Sequence, residues 1–433
     1  MKSVNVGLIG LGTIGRGVYD VISENFQMIA RKTGLFLKVK GICDKDKNVL
    51  KAVKDEKDLI KTTSPSELIS REDIDIIVEL IGGVNPAKDI ILGALKNKKH
   101  VVTANKALLS ECWKEIFSSA AKNKMYINFE ASVGGAIPII RALRSSFVTD
   151  NINTLYGILN GTTNFILTEM EEKGCSFETA LKIAQKKGIA ERNPELDISG
   201  ADSAHKLAIL SFLAFGSGVE ADDIYTEGIT AIEPVDIQNA RHWGYSIKLL
   251  AIAKDTPAGL QLRVHPTLLE SSHLLSNVKG EDNAVFVRGE LIGESLLFGK
   301  GAGRKPTSNS VVSDIVDIGR QIAFAAKDNL LPYNLERGQE KKKISKIKKL
   351  GISFYLRFSV IDKPGVLAEI SSILAKNNIS IANVSQEERK EGAVVPVVIL
   401  THKAEDGSMR EAIAKIDKLS CVAKKTVAIR IEE

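Results

Sequence analysis

The sequence predicts an α/β chain of three domains: a doubly wound parallel-sheet domain, an α+β domain, and a small domain of ferredoxin-like β-α-β-β-α-β order. Three observations carry this reading. Strand-like and helix-like segments alternate over the first hundred residues. A Gly-x-Gly-x-x-Gly turn joins the first strand to the first helix, the Rossmann-type arrangement. A fresh run of alternating elements begins after a basic stretch that ends near Lys349. A length of 433 residues fits two to four domains at roughly 100–200 residues each.

The first domain is placed at residues 1–134. Residues 4–9, 37–43, 74–81 and 100–103 are short apolar runs, and residues 13–30 and 87–95 have helical character. Strands alternating with helices imply a parallel sheet with right-handed crossovers. The second domain is placed at 135–304. Its predicted helices are 180–187, 202–215 and 236–253, and its predicted strands are 154–159, 261–265 and 284–289. Residues 308–325 form a predicted helix with Val311, Ile315, Ile318 and Ile322 on one face, expected to return to the first domain over about 305–330.

Residues 331–350 are charged, lack apolar periodicity and read as a linker. The third domain spans 351–433. Its first strand alternates Phe354, Leu356, Phe358 and Val360 with Tyr355, Arg357 and Ser359, the pattern of a half-buried strand. A helix at 366–376, strands at 379–384 and 394–400, a helix at 409–416 and a strand at 425–431 complete the order.

Composition excludes several classes. At 44% hydrophobic and 26% charged, the chain is a globular average rather than a disordered, collagen-like or disulfide-scaffold sequence. Residues 337–349, with one Arg, six Lys and one Glu, hold the whole formal excess of +6, so the rest is balanced. That pattern fits a solvated linker rather than a nucleic-acid surface. Cys43, Cys112, Cys175 and Cys421 are scattered and read as reduced thiols of a cytoplasmic protein. The start does not read as a signal peptide. The longest apolar stretch, 207–219, is shorter than the roughly 20 residues that cross a bilayer.

Gly10, Gly12 and Gly15, with Thr13 and Ile14 between them, open the first helix as a dinucleotide cradle. Asp44 ends the second strand, where an acid accepts ribose hydroxyls and repels an extra phosphate. Lys45 and Lys47 offset that repulsion, so NADP and NAD both stay open. Thr103 and Lys106 follow another strand end, facing the ligand crevice of such a sheet, although an isolated lysine there also suits an exposed surface. Asp202 and Lys206 lie four apart on a mostly apolar helix and project from one face. A partly desolvated lysine exchanges protons near neutrality. His205 reads as structural. Glu191, Glu195, Asp197 and Asp202 gather acids beside that lysine, either as a solvated polar loop or as a holder for a substrate ammonium. With His205 the sole histidine nearby, no catalytic divalent-metal pattern emerges.

These motifs, together with residues 128–135, Asn160-Gly161-Thr162-Thr163-Asn164 and the block 188–206, closely resemble homoserine dehydrogenase, over about residues 4–330 and in the family's order. The last domain resembles an ACT module, with residues 362–367 as its strand-to-helix turn. With no kinase-like segment ahead of the first strand, the chain resembles the monofunctional form.

The resemblance implies NAD(P)-dependent interconversion of L-homoserine and L-aspartate 4-semialdehyde, in threonine, methionine and isoleucine biosynthesis. It makes Lys206 the proton donor and Lys106 a second lysine near substrate and nicotinamide. Glu191 and Asp202, joined by Asp197 and Thr162, orient the small-molecule substrate. Glu130 with the backbone carbonyls of Val133, Gly135 and Ile137 matches a sodium site. Gly303 lies in a late cofactor-closing turn. Ile189 is a departure, since many relatives carry tyrosine there.

The ACT resemblance implies threonine as effector, received by Gly365, Val366 and Leu367 with Asn383, and a homodimer or homotetramer. The rival readings are a non-catalytic nucleotide and amino-acid sensor, or another amino-acid-pathway dehydrogenase on the same fold. A sensor needs no proton donor, which the joint presence of Lys106, Glu191, Asp202 and Lys206 argues against, and the other dehydrogenase leaves the 188–206 block unexplained.

Overall fold

The structure is a computed structural model that describes residues 2–55, 58–324, 342–386 and 392–432. The chain divides into two compact units. One comprises residues 1–151, 205–221 and 297–341; the other comprises 152–204, 222–296 and 342–433.

The first unit is built on a six-stranded parallel sheet. Its elements run β1 (Lys2–Ile9), α1 (Thr13–Glu24), α2 (Phe26–Thr33), β2 (Leu35–Cys43), α3 (Lys47–Lys51), β3 (Ile60–Thr62), α4 (Pro65–Ile69), β4 (Ile76–Glu79), α5 (Ala87–Lys96), β5 (His100–Thr103), α6 (Lys106–Asn123) and β6 (Ile127–Asn128). Strand order β3-β2-β1-β4-β5-β6 reverses direction at β1/β4, and crevices at such reversals take ligands. Val4, Val6, Leu8, Ile76 and Val78 are fully buried, as parallel strands covered on both faces should be. The predicted helix at 13–30 breaks at Asn25, whose non-helical backbone separates α1 from α2.

The second unit adds a short helix-rich layer and a long mixed sheet. After α7 (Ile139–Arg141) come β7 (Ile152–Ile158), α8 (Gly161–Lys173), α9 (Phe177–Lys186), α10 (Glu195–Ile198) and α11 (Ala201–Phe215), which continues into the first unit. Then follow β8 (Tyr225–Thr226), α12 (Pro234–His242), β9 (Tyr245–Thr256), β10 (Gly259–Glu270), β11 (Asp282–Gly289) and β12 (Gly293–Lys300). Residues 236–253 are not one helix as predicted. The helix stops at His242, Gly244 turns at φ 80°, and β9 enters the sheet centre. Leu249 to Ala253 are buried on both faces, so their apolar run shows neither helical nor strand period. Helix α8 and strand β12 are not among the expected secondary-structure elements.

Helix α13 (Arg304–Phe324) packs on the first sheet, with Val311, Ile315 and Ile318 in its core. Residues 325–330 of the expected return helix lie outside the described residues, as do 331–341 of the expected linker. The remainder of that linker is not free. Ile344 bridges to Leu260, and Leu350 is buried.

The C-terminal domain runs β13 (Gly351–Ile361), α14 (Val366–Lys376), β14 (Ile381–Ser385), β15 (Val394–Thr401), β16 (Ala404–Glu405), α15 (Asp406–Ile416) and β17 (Val422–Glu432). Its antiparallel order β17-β13-β15-β14 is ferredoxin-like. Strand β17 pairs in parallel with β10 through Thr267–Arg430, Leu268–Ile431 and Leu269–Glu432, which joins both sheets into one.

The half-buried expectation for β13 fails for a related reason. Tyr355 and Arg357 are buried as deeply as Phe354 and Phe358, because Asp236 of α12 covers that face. The Asp236 carboxylate accepts from Arg357 Nε at 2.6 Å and Nη2 at 3.0 Å, and from the Tyr355 hydroxyl at 2.9 Å. The alternation is real, but both faces have partners.

Candidate active site

In the first unit a cleft of about 560 Å³ opens at the carboxyl ends of β1, β2 and β4, lined by Gly10, Gly12, Asp44, Lys45, Gly82 and Asn85 among others. A Cβ on Gly15 would lie 1.9 Å from the Gly10 carbonyl oxygen, so helix α1 meets β1 only through glycine. Gly12 has open space where its Cβ would stand. The cradle therefore fits a pyrophosphate approaching the backbone at a helix N-terminus. Thr13 is exposed at that terminus, while Ile14 packs against the core.

Asp44 braces this turn. One carboxylate oxygen accepts from Leu11 N–H at 2.7 Å and the other from Asp46 N–H at 2.9 Å. Lys45 is exposed on the cleft rim. Thr103 is fully buried, and its hydroxyl donates to Glu79 at 2.6 Å, so its side chain faces a neighbour rather than the cleft. Glu79, also fully buried, accepts from Ile81 N–H and Gly82 N–H. Asn105 caps α6 through Leu108 N–H and holds the Gly83 carbonyl at 2.6 Å. Lys106 opens α6 from that cap, half-buried. Sequence reasoning missed Glu79 and Asn105. An acid at a buried strand end was the available signal.

Also in this unit, Glu130 is buried and its carboxylate accepts from Ile140 N–H and Arg141 N–H, both at 2.9 Å. Burial pushes its carboxyl up despite those bonds. Asp314 of α13 accepts from Glu130 N–H at 2.8 Å, and burial, with Glu130 alongside, pushes it up to about 8. Val133, Gly135 and Ile137 are buried, and the Gly135 carbonyl accepts from Ser310 Oγ at 2.7 Å. A Cβ on Gly135 would lie 2.5 Å from the Gly301 carbonyl, so the turn ending in Gly303 packs against this segment. Gly303 itself is exposed at φ 114°. Lys206, on α11, is 9% exposed.

In the second unit, Asn160 gathers two predicted acids. Its side-chain amide donates to Asp197 at 2.7 Å and to the buried Asp202 at 2.8 Å, while its oxygen caps α8 through Thr163 N–H. Thr162 is buried and donates to the Ile189 carbonyl at 3.1 Å, tying α8 to the loop that bears Glu191. Glu191 is exposed. The pairing of Asn160 with Asp197 and Asp202 joins residues 37 and 42 positions apart, so it becomes visible only in the folded chain. In the C-terminal domain Gly365 precedes α14 at φ 94°, Val366 is buried and Leu367 is 42% exposed. Asn383 is exposed on β14, the terminal strand of the sheet.

Comparison with known proteins decides the family. Residues 138–316 match the homoserine dehydrogenase family, residues 10–130 the NAD-binding domain of homoserine dehydrogenase, and residues 354–420 the ACT domain. A homoserine dehydrogenase of Neisseria gonorrhoeae is 42% identical over 433 residues, covering 100% of this chain and 99% of that protein. The chain belongs to the homoserine dehydrogenase family.

The crystal structure of a homoserine dehydrogenase from Thiobacillus denitrificans superposes with a TM-score of 0.91 at 41% identity, over 100% of this chain and 99% of that one. A hyperthermophilic archaeal homoserine dehydrogenase, solved in complex with NADPH, covers 74% of this chain and 98% of its own at 28% identity, with a TM-score of 0.62. This homoserine dehydrogenase chain is therefore an oxidoreductase with a nicotinamide-binding Rossmann domain and an ACT domain. Among the described residues no helix is long and apolar enough to cross a membrane, and no cluster of three metal-ligating side chains occurs.

Proposed function

We propose that the chain interconverts L-homoserine and L-aspartate 4-semialdehyde, a step toward threonine, methionine and isoleucine, in the cytoplasm. The observation that carries this is the buried helix start. Asp202, clamped by Asn160, stands one helical turn before the buried Lys206. The dinucleotide cradle of Gly10, Gly12, Thr13, Ile14 and Gly15 holds the cofactor, with Asp44 and Lys45 at the ribose end and Thr103, Lys106 and Gly303 bounding it. Either NADP or NAD fits an acid flanked by lysine. When bound, the nicotinamide supplies or accepts the hydride.

The side chains do the rest. The Lys206 ammonium gives its proton to the carbonyl oxygen and stabilises the negative charge that develops there. Lys106 is the second lysine near substrate and nicotinamide. Asp202, Asp197 and Glu191 hold the substrate's polar groups, and Thr162 fixes the Glu191 loop through Ile189, so that reacting atoms sit near attack distance. Glu130 and the carbonyls of Val133, Gly135 and Ile137 would hold a sodium ion, which would supply a fixed positive charge to this buried segment.

Threonine inhibits through the ACT domain, with its carboxylate on the amides of Gly365, Val366 and Leu367 and its polar side chain toward Asn383. The assembly is a homodimer or homotetramer. The test is oxidation of NADPH and NADH, followed by absorbance, with aspartate semialdehyde and with or without threonine. Turnover with at least one cofactor supports the reading, and none with either overturns it. Inhibition by threonine decides the regulatory part separately.

A further inference from the structure

Lys248, on β9 in the second unit, is 1% exposed, and the site described above makes no use of it. Its Nζ donates to the Val278 carbonyl at 2.7 Å, its sole hydrogen bond among the described residues. Burial pushes its ammonium down to about 8, with Glu171 of α8 opposing the fall, Lys279 adding to it and Glu172 opposing it. None of these three charges pairs with it; Lys279 bonds Glu172 at the surface instead. An ammonium buried without a carboxylate is costly, and an apolar side chain of the same length is the cheaper filling. Packing alone therefore does not account for a lysine here.

Its acceptor opens a loop, residues 278–283, that is strapped to helix α8. Asn164 Nδ2 donates to the Val278 and Asp282 carbonyls at 3.2 and 3.1 Å. Gly280 N–H donates to Thr168 Oγ1 at 3.0 Å, and that hydroxyl donates on to the Asn164 carbonyl at 2.7 Å. A Cβ on Gly161 would lie 2.6 Å from the Glu281 carbonyl oxygen, so the loop backbone rests directly on the first turn of α8. That turn follows Asn160, the clamp of Asp197 and Asp202, and carries Thr162, which holds the Ile189 carbonyl. Asn164 Oδ1 and both polar atoms of the Asn283 side chain are buried here without a partner among the described residues. Such unmet groups oppose the closed arrangement. The bond from Lys248 favours it, and being charge-assisted it is roughly twice as strong as its neutral neighbours.

We propose that Lys248 is a positioning residue for substrate binding: by holding Val278 it seats the 278–283 loop on α8, and so fixes where Asn160 and Thr162 present Asp197, Asp202 and the Glu191 loop. This rests on the reading of those acids as the holders of the substrate's polar groups. Lys248 acts through the loop and not on the reacting atoms. Its effect therefore falls on substrate affinity, and the proton transfer from Lys206 is left as it is.

The test is Lys248→Met in the full chain, which removes the charge and keeps the length. Asn164 still serves the Val278 carbonyl, so this variant should melt close to wild type. Its Michaelis constant for homoserine should rise about tenfold, the order of one charge-assisted hydrogen bond, with turnover and the cofactor's constant little changed. Hydrogen exchange should quicken at the Gly280 and Thr163 amides, which donate to Thr168 and Asn160. Thr168→Val, which cuts the Gly280 strap and leaves Lys248 in place, should give the same pattern even if Lys248→Met melts early. An unchanged homoserine constant or unchanged exchange in both variants overturns the proposal. So does an equal rise in both Michaelis constants, the mark of a general loss of structure. A wild-type chain that turns over no homoserine would defeat the functional reading instead, and exchange at Gly280 and Thr163 would still decide whether Lys248 seats the loop.

Discussion

The side-chain amide of Asn160 lies 2.8 Å from the carboxylate of Asp202, with both groups buried. The same amide holds Asp197 at 2.7 Å, and the Asn160 oxygen caps helix α8. One residue thus fixes two acids from different segments and the helix that follows. Asp202 also lies in the first turn of α11, where a carboxylate complements the helix dipole.

Replacing Asn160 by Ala removes both clamps and the cap. The expected result is a Michaelis constant for homoserine raised about tenfold, with that for the cofactor unchanged, and a stability loss of about 1–2 kcal/mol. Steady-state kinetics against each substrate and a urea melt read the two effects. A rise confined to the cofactor would place the Asn160 cluster away from the substrate.

Lys206→Ala should lower turnover by a factor of roughly 100 or more, the ordinary worth of general acid catalysis. Cofactor binding, followed by quenching or by calorimetry, should survive because the glycine cradle is untouched. Turnover near wild type would remove Lys206 from the mechanism.

Glu79→Gln tests a carboxylate that accepts from Thr103, Ile81 and Gly82 at the cofactor crevice. The new amide turns a donor toward donors, at a cost of about 1–3 kcal/mol. The 81–83 loop should loosen, raising the cofactor's Michaelis constant more than homoserine's. An equal change in both would make Glu79 purely structural.

Much of this was legible in the sequence because the signals were local. The Gly10–Gly15 turn, the run ending at Asp44 and the short strand at His100–Thr103 depend on neighbours in sequence, and the structure places each as read. What escaped depends on partners far along the chain. Tyr355 and Arg357 look like a solvent face until Asp236, over a hundred residues upstream, covers them. Residues 245–253 look helical in sequence, as the end of the expected 236–253 helix, because a run buried on both faces loses its period; they form most of the strand Tyr245–Thr256. Glu79 escaped for the same reason, since only the folded sheet brings Thr103 beside it.

Acid should destabilise the first unit through His100. It is buried, and its Nδ1 accepts from Tyr126 N–H at 3.0 Å, which a protonated ring cannot do. Desolvation lowers it from 6.5 to about 4. As pH falls between those values the unfolded chain takes up a proton that the folded chain refuses, so stability drops, by about 3 kcal/mol at most. Urea midpoints from pH 7 to 4 should fall less steeply for His100→Asn, which keeps an acceptor that does not titrate. Parallel slopes would show that His100 does not contribute.

A chain ending near Lys349 looks like the direct way to separate catalysis from regulation, and the fold argues that it will fail. Removing the ACT domain unpairs β10 at Thr267–Leu269, leaving a sheet edge open to association. It also strips Asp236 of Arg357 and Tyr355, and Arg263, Lys254 and Tyr156 of Glu432, which binds Arg263 at 2.5 Å and the Tyr156 hydroxyl at 2.9 Å. Water reaches some of these groups after truncation, but the apolar surface between them is exposed as well. The truncated chain should therefore melt about 10 °C or more below the full chain and associate on gel filtration. Asp236→Asn in the full chain isolates the charge pair: it leaves Arg357 buried beside a neutral amide, at a cost of about 3 kcal/mol. If the truncated chain is monodisperse and melts with the full chain, the β10–β17 seam contributes nothing to the catalytic part, and loss of threonine inhibition on truncation can be read directly as regulation.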